Sequence, residues 1–394
     1  MKQISVLIIH NTYQQYGGED SVVEREASLL KMHGNLSHLH LIDNHEISGI
    51  FKKITTAVNS IFSIPSYRAV RALLRKVKPD VVHVHNFFPL LSPSVFYACQ
   101  AENVPVVFTL HNYRTICPTA LLMRNGEVTE RSIETGPWWA LKYRTYKNSW
   151  VGTFLLCLMI SAHKKLRTWK SKVDIHIVLT EFARSKFSKA GFPIEKMVIK
   201  PNFVDQQPVY ADSARAGLLF VGRLSPEKGV STLLHASLLA DLNPDDIVIA
   251  GDGPLLPEVS ESSVTSLGQL KPSEVKLKMQ KSVALLLPSL WYEGFPMVLV
   301  EAYACGLPVI ASRIGALAEL VEDGVTGLLF EPGDPNDLAN KMQWALSNPV
   351  EMGRMGASAR RRFEERYTPQ QNYQHLIQVY ERAIQNSKHK EANK

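Results

Sequence analysis

The chain has 394 residues, 45% of them hydrophobic and 21% charged, with a formal net charge of +7. That composition excludes intrinsic disorder as the default state, and the length suffices for two domains with separate cores. Its four cysteines, Cys99, Cys117, Cys157 and Cys305, show no CxxC spacing, so neither a disulfide framework nor a zinc site is expected and a reducing cytosol is the expected compartment.

The first half alternates short β-branched runs with helical patterns. "SVLIIH" after Lys2 reads as a first strand and lacks the cleavage site of a signal peptide, so the protein is expected to stay inside the cell. A helix follows from Asp20 to His33, closed by Gly34, and then a strand in "LSHLHLI". Val70, Leu73, Leu74 and Val77 have helical spacing within Arg68 to Lys78, which stops at Pro79. "VVHVH", "VPVVFTLH" and "VDIHIVLT" read as buried strands, which together predict a doubly wound parallel unit. "KPNFVD" at 200–205 and the polar residues to Ala216 read as a linker. The second half restarts the pattern with "GLLFVGRL", a helix from about Pro226 to Ala240, "DIVIAGDGP", "SVALLLPS" and "LPVIAS". A last helix from about Gln370 to Gln385 is followed by a tail, from Ser387, expected to be disordered.

Charge is unevenly placed. From Lys142 to Val173 there are eight Lys or Arg residues and no Asp or Glu, and Phe51 to Lys78 is a second acid-free window with Lys52, Lys53, Arg68, Arg71, Arg75, Lys76 and Lys78. No nucleic-acid motif accompanies these blocks, so no nucleic-acid partner is expected. Trp139, Tyr143, Tyr146, Trp150 and Phe154 follow at helical steps across the start of the first block, with lysines and an arginine between them. That pattern fits a core stripe or an interfacial helix, and the flanking bases favour an anionic membrane surface. The longest apolar candidate, Trp150 to Ala162, falls short of the roughly 18–20 residues that cross a bilayer.

The most informative stretch is "PSLWYEGFPMVLVEAYACGLPVIAS" at 288–312. Val283 to Leu287 reads as a buried strand, Pro288 to Pro296 as a loop, and Met297 to Cys305 as a helix closed by Gly306. Free N–H groups in a first helical turn favour a bound phosphate, and Glu293 and Glu301 could accept hydrogen bonds from sugar hydroxyls. On spacing alone, a helix-start glutamate and a surface glutamate fit equally well.

This segment resembles the Glu-x7-Glu signature of the family 4 retaining glycosyltransferases, bacterial surface-polysaccharide branch. Other segments keep the family's order: "HNTYQQYGGED" at 10–20, "DVVHVHNFFPLLSPSVFYAC", "PVVFTLHNYRTICP", "FVGRLSPEKGV" at 220–230 and "AGDGP" at 250–254. The resemblance covers nearly the whole chain and implies a GT-B fold, an α/β architecture of two facing Rossmann-like doubly wound domains with an interdomain cleft. Residues 1–205 would bind acceptor, 206–369 the nucleotide sugar, and the helix within 370–394 would pack back on the first domain. The implied activity is transfer of a hexose, with retention, from a nucleotide diphosphate sugar to a glycan or lipid-linked glycan acceptor in polysaccharide biosynthesis. The donor is expected to be UDP-linked, with no metal and no other cofactor. The protein would be cytoplasmic, peripheral on the inner face of the membrane.

The resemblance assigns Glu293 and His111 to catalysis. Gly17, Gly18, Arg223, Lys228, Gly294, Phe295, Pro296, Met297, Val298, Leu299 and Glu301 are assigned to the donor, and His85, Asn86 and Glu19 to the acceptor. Two cations at a helix start oppose the dipole, which supports a phosphate role for Arg223 and Lys228. Glu19 and Asp20 fit helix capping equally well, and His83 reads as core. The loop "LLMRNGEVTERS" has none of the cysteines that the branch often carries, so no metal-stabilised loop is expected. A GT-B nucleotide-sugar epimerase and a non-catalytic assembly partner are the alternatives. Arg223, Lys228, Glu293 and Glu301 together argue against both.

Overall fold

A computed structural model describes residues 3–12, 17–43, 50–205 and 215–392. Residues 13–16 of the N-terminal glycine loop and 206–214 of the predicted linker lie outside the described residues. The chain divides into two compact units: Met1–Leu122, Thr129–Pro201 and Asn372–Lys394 form the first, Met123–Val128 and Asn202–Gln371 the second.

The first unit holds β1 (Ser5–Asn11), β2 (Leu36–Ile42), β3 (Val81–Asn86), β4 (Val106–Thr109), β7 (Ile175–Val178) and β8 (Met197–Ile199), while the short antiparallel strands β5 (Met123–Arg124) and β6 (Glu127–Val128), which come between β4 and β7 in the chain, fall in the second. Six of them form one sheet in the order β2-β1-β3-β4-β7-β8, parallel throughout. β3, β4 and β7 are Val/Ile-rich and buried, as strands covered on both faces must be. Because all strands run the same way, His10, His85 and His111 come to the carboxyl end of the sheet.

The first helix, Gly18–Met32, turns Val22, Val23, Ala27, Leu29 and Leu30 inward at 3.6-residue spacing, and Glu26 is buried on the same stripe. Ser63 caps a helix over Ile64–Val77, which therefore begins a turn earlier than the apolar spacing indicates. The C-terminal helix runs Pro369–Ala392, past the expected end at Gln385 and through the expected disordered tail. Its Tyr373 hydroxyl accepts from Asn35 Nδ2 at 2.9 Å while the ring stacks on His33, and the Arg382 guanidinium donates to the Glu195 carbonyl.

The expected aromatic helix is not continuous. Pro137–Tyr143 forms a 3-10 turn, Arg144, Lys147 and Asn148 adopt left-handed backbone, and a new helix, Trp150–Lys165, begins after its Ser149 cap. Trp138, Trp150, Val151, Phe154 and Leu166 are exposed, whereas Cys157, Met159 and Ile160 face the core.

The second unit places β9 (Leu218–Val221), β10 (Ile247–Ala250), β11 (Thr265–Ser266), β12 (Ala284–Leu287), β13 (Val309–Ser312) and β14 (Gly327–Phe330) in the order β11-β10-β9-β12-β13-β14, again parallel. Leu218, Phe220, Leu286, Ile310 and Phe330 form one core with the flanking helices. Full burial of each such side chain stabilises by about 1.5–3 kcal/mol. Among the described residues no helix is long and apolar enough to cross a membrane.

Candidate active-site regions

In the second unit the loops after β9, β10 and β12 are tied to one another by their backbones. Gly222 N–H donates to the Ala250 carbonyl, Leu224 N–H to Asp252, and Leu290 N–H to Glu227. Two glycines allow this closeness. A Cβ on Gly229, whose φ is +71°, would lie 1.7 Å from the Pro288 carbonyl oxygen, and one on Gly251 would lie 1.9 Å from that of Gly222. The expected helix from Pro226 is instead a 3-10 turn, Pro226–Lys228, followed after Gly229 by the helix Val230–Leu239. Lys228 thus stands on a turn held against the end of β12.

That placement brings two predicted residues together. Lys228 Nζ lies 2.7 Å from Glu293 Oε1, and Ser289 Oγ donates to the same oxygen at 2.8 Å. Glu293 is 5% exposed, and the lysine ammonium sits 5.4 Å from the centre of the Trp291 ring. Arg223 is exposed, and its guanidinium has no acidic partner among the described residues. Gly294 and Phe295 lead into the helix Met297–Ala304, whose N-cap is Pro296. Met297 and Val298 are half-buried, Leu299 is buried, and Phe295 packs edge-on to Tyr367. Glu301 stands half-buried one turn further on. Ser289 and Trp291 were missed by sequence reasoning, although both lie within four residues of Glu293.

In the first unit a polar network lies behind the strand ends. Lys200 Nζ pairs with Glu26 Oε1 at 2.6 Å, both side chains 1% exposed. The other carboxylate oxygen, Glu26 Oε2, is 3.5 Å from His85 Nε2, and His85 Nδ1 is 2.9 Å from His111 Nε2. His83 uses both ring nitrogens, with Tyr380 OH at 2.8 Å and Thr109 Oγ1 at 2.7 Å. His10 Nε2 contacts Asp20 Oδ1 at 2.9 Å. Burial, then the Lys200 charge, holds His83 well below the ordinary imidazole value, and burial followed by its neighbour His83 does the same to His85. His111 falls to about 3, through burial first and His10 next. Burial and the Glu26 charge push the Tyr380 phenol well above its usual range.

Several predicted residues thus take positions that sequence alone did not specify. His85, expected beside the acceptor, is buried behind His111, because alternation on β3 points it inward with His83. His111 retains 7% exposure. Asn86 organises the turn after β3, donating to the Asn11 carbonyl and accepting from Phe88 N–H. Asp20 accepts from the Gly17 amide at 2.9 Å, and Glu19 Oε1 accepts from Asn112 Nδ2. The Gly17 amide is therefore engaged within the helix start, and Gly18 supplies the first helical N–H.

Glu26, His83 and His85 lie close enough to suit a metal ion. The Lys200 ammonium already supplies a positive charge to Glu26, however, and the Tyr380 hydroxyl occupies His83 Nδ1. The donor set fits an ion pair with hydrogen-bonded imidazoles better than a cation site. Glu26 was missed by sequence reasoning. Its signal was present, since Val22, Val23, Ala27 and Leu30 place it on the core-facing stripe.

Two family models match the chain, one described as Glycosyltransferase Family 4 over residues 45–207 and one as Glycosyl transferases group 1 over 215–348. An uncharacterized glycosyltransferase of Methanocaldococcus jannaschii is 33% identical over 47% of this chain and 54% of its own, so the match spans about half of that relative. The MMP alpha-(1->4)-mannosyltransferase of Mycolicibacterium hassiacum is 29% identical over 81% of this chain and 74% of its own. Among solved structures, Anabaena HepE in complex with UDP matches 95% of this chain and 99% of its own with a TM-score of 0.67 at 17% identity. Sucrose-phosphate synthase from Thermosynechococcus elongatus matches 96% and 98% with a TM-score of 0.70 at 18% identity.

Proposed function

We propose that this chain, which belongs to the family 4 glycosyltransferases and has their GT-B fold of two parallel-sheet α/β domains, is a retaining hexosyltransferase that needs no metal. It takes a hexose from a nucleotide diphosphate sugar and passes it to a glycan or lipid-linked glycan. The observation that carries this reading is the Lys228–Glu293 pair at the carboxyl end of a parallel sheet, where ligands of such sheets bind, on the same β9 loop as Arg223, which has no acidic partner among the described residues.

Cleavage of the anomeric C–O bond leaves an oxocarbenium-like sugar and a diphosphate that gains negative charge. Stabilising that charge is the largest electrostatic need. Arg223 and Lys228 supply the two positive charges. Glu293, released from Lys228 when phosphate takes the ammonium, holds hexose hydroxyls and offsets positive charge on the ring. The segment Gly294 to Leu299, through the free N–H groups of its helix start, and the Gly18 amide bind donor, Glu301 holds the ribose, and His111 contacts the transferred sugar. The acceptor oxygen bonds to the anomeric carbon on the face that the diphosphate leaves, and the departing phosphate oxygen takes the acceptor proton. The HepE complex with UDP supports a uridine donor.

The first unit binds the acceptor, with Glu19 and Asn86 near it, and rests on the cytoplasmic face of an anionic membrane. Support for the membrane contact comes from exposed Trp138, Trp150 and Phe154 beside Arg144 and Lys147, whose charges lie against aromatic rings. Turnover of nucleotide sugars with and without acceptor, with NMR of the product anomer, tests the function. An inverted product, or isomerised donor without transfer, contradicts it.

A further inference from the structure

We propose that Glu26 and His85 are positioning residues that hold His111 as an imidazole protonated on Nε2, leaving its Nδ1 lone pair as the acceptor for a hydroxyl of the bound sugar. This rests on the reading of His111 as a sugar-facing residue.

Lys200 and Glu26 are buried together at 2.6 Å, and a buried ammonium requires a counter-charge, so Glu26 is a carboxylate and can only accept. Glu26 Oε2 and His85 Nε2 are both buried with no hydrogen-bond partner at normal distance, and they face each other at 3.5 Å. An acceptor-only oxygen turned toward a ring nitrogen selects the tautomer with its proton there, so His85 carries hydrogen on Nε2 and a lone pair on Nδ1. His85 Nδ1 is 2.9 Å from His111 Nε2, and one of the two must donate. With His85 as acceptor, His111 donates from Nε2 and its Nδ1 is bare.

The surroundings keep this order. His83, tilted by 39° against His85 with ring centres 4.0 Å apart, is committed to Tyr380 and Thr109, so it offers His85 no competing bond. His10, edge-on to His85 at 6.4 Å, is paired with Asp20. Burial and the Lys200 charge disfavour a second proton on His83, His85 or His111, which supports three neutral rings at physiological pH. A carboxylate that fixes the tautomer of a histidine through its far nitrogen is a known way to aim a ring. Here the message passes through one further imidazole, and His111 becomes an acceptor that favours a hydroxyl over a group unable to donate.

The test is two-bond 1H–15N NMR of full-length protein labelled with 15N-histidine at pH 7.5, with His111 assigned from His111→Ala. His85 and His111 should each show one tautomer, protonated Nε2 and bare Nδ1. His85→Asn, whose carbonyl oxygen replaces the Nδ1 acceptor, should keep the His111 tautomer, whereas His85→Leu should release it to a mixture. A His111 protonated on Nδ1, charged, or tautomerically averaged in the native protein overturns the inference, whatever the variants do. So does a His85→Leu protein whose His111 signal matches the native one. Unchanged donor turnover in His111→Ala, with the tautomer as expected, would instead overturn the sugar-facing reading beneath it.

Discussion

The two sheets end in polar clusters of opposite construction. In the first unit Glu26 and Lys200 are sealed in the core with His83 and His85, each group committed to a partner inside the unit. In the second, Lys228 keeps 27% side-chain exposure while it pairs with Glu293, and Arg223 projects without an acidic partner among the described residues. A buried pair costs desolvation that its Coulomb attraction barely recovers, so it is suited to fixing geometry. A pair at the rim of solvent exchanges partners at little cost, which suits groups that must take up a diphosphate and release it. In the proposed function the first cluster would orient and the second would bind.

The comparison breaks most visibly in stability. Lys200→Met should destabilise by about 3–5 kcal/mol, because it leaves the Glu26 carboxylate buried without a counter-charge. Adding Glu26→Gln should recover part of that loss, since the two residues are coupled. Urea unfolding of the single and double variants measures both. Equal stability of Lys200→Met and the native chain would mean that the first cluster is not an ion pair.

Kinetics should respond in the other unit. Arg223→Ala and Lys228→Ala should each remove a charge-assisted contact worth about 1.5–3 kcal/mol, roughly ten- to a hundred-fold in kcat/KM, with little change in unfolding midpoint for Arg223→Ala. Glu293→Gln should mainly lower kcat, because its contacts strengthen as charge develops on the ring. Glu301→Gln should mainly raise donor KM by removing uniform binding. Steady-state rates against donor concentration separate the two patterns, and an unchanged kcat in Glu293→Gln would remove the role given to it.

Acid should loosen the first unit. His111 is depressed to about 3 and His176 to about 4, each by burial first, against 6.5 for the ordinary imidazole. Between those values the unfolded chain binds more protons than the folded one, so stability rises with pH. It is fully present above about 6.5 and is lost as pH falls toward the folded values. Unfolding midpoints recorded from pH 7.5 to 4 should therefore decline, and a flat profile would contradict neutral buried rings.

The smallest effect per residue is expected at the surface. Binding to anionic vesicles should weaken by about 1 kcal/mol for each basic residue removed and fade at high salt. Charge reversal at Lys164, Lys165 and Arg167 tests this by co-sedimentation. Equal recovery in the soluble fraction with neutral and anionic vesicles at low salt would count against membrane contact.

Most strands were legible because parallel strands buried on both faces read as unbroken apolar runs, as "VVHVH" and "SVALLLPS" do. β8 and β11 were not, being three and two residues long, and neither was the four-residue β14. The aromatic segment misled for a physical reason. Its side-chain spacing is helical, but Arg144, Lys147 and Asn148 take left-handed backbone that spacing does not reveal. Of the candidate site, Glu293 and Lys228 could be named from sequence. Their 2.7 Å contact could not, because it depends on Gly229 letting its turn approach Pro288. The Glu26–His85–His111 chain was hidden more deeply, since it joins residues up to 85 positions apart through strand order.

The central claim is a nucleotide-sugar site built from protein cations. Its most direct test is thermal unfolding of the native chain and Arg223→Ala with UDP-, GDP- and ADP-sugars in excess EDTA. A ligand that binds only the folded state raises its stability in proportion to the logarithm of its saturation. At least one nucleotide sugar, expected to be UDP-linked, should raise the midpoint in EDTA, and Arg223→Ala should lose most of that rise. No shift with any donor until magnesium is restored, or an equal shift in Arg223→Ala, would contradict it.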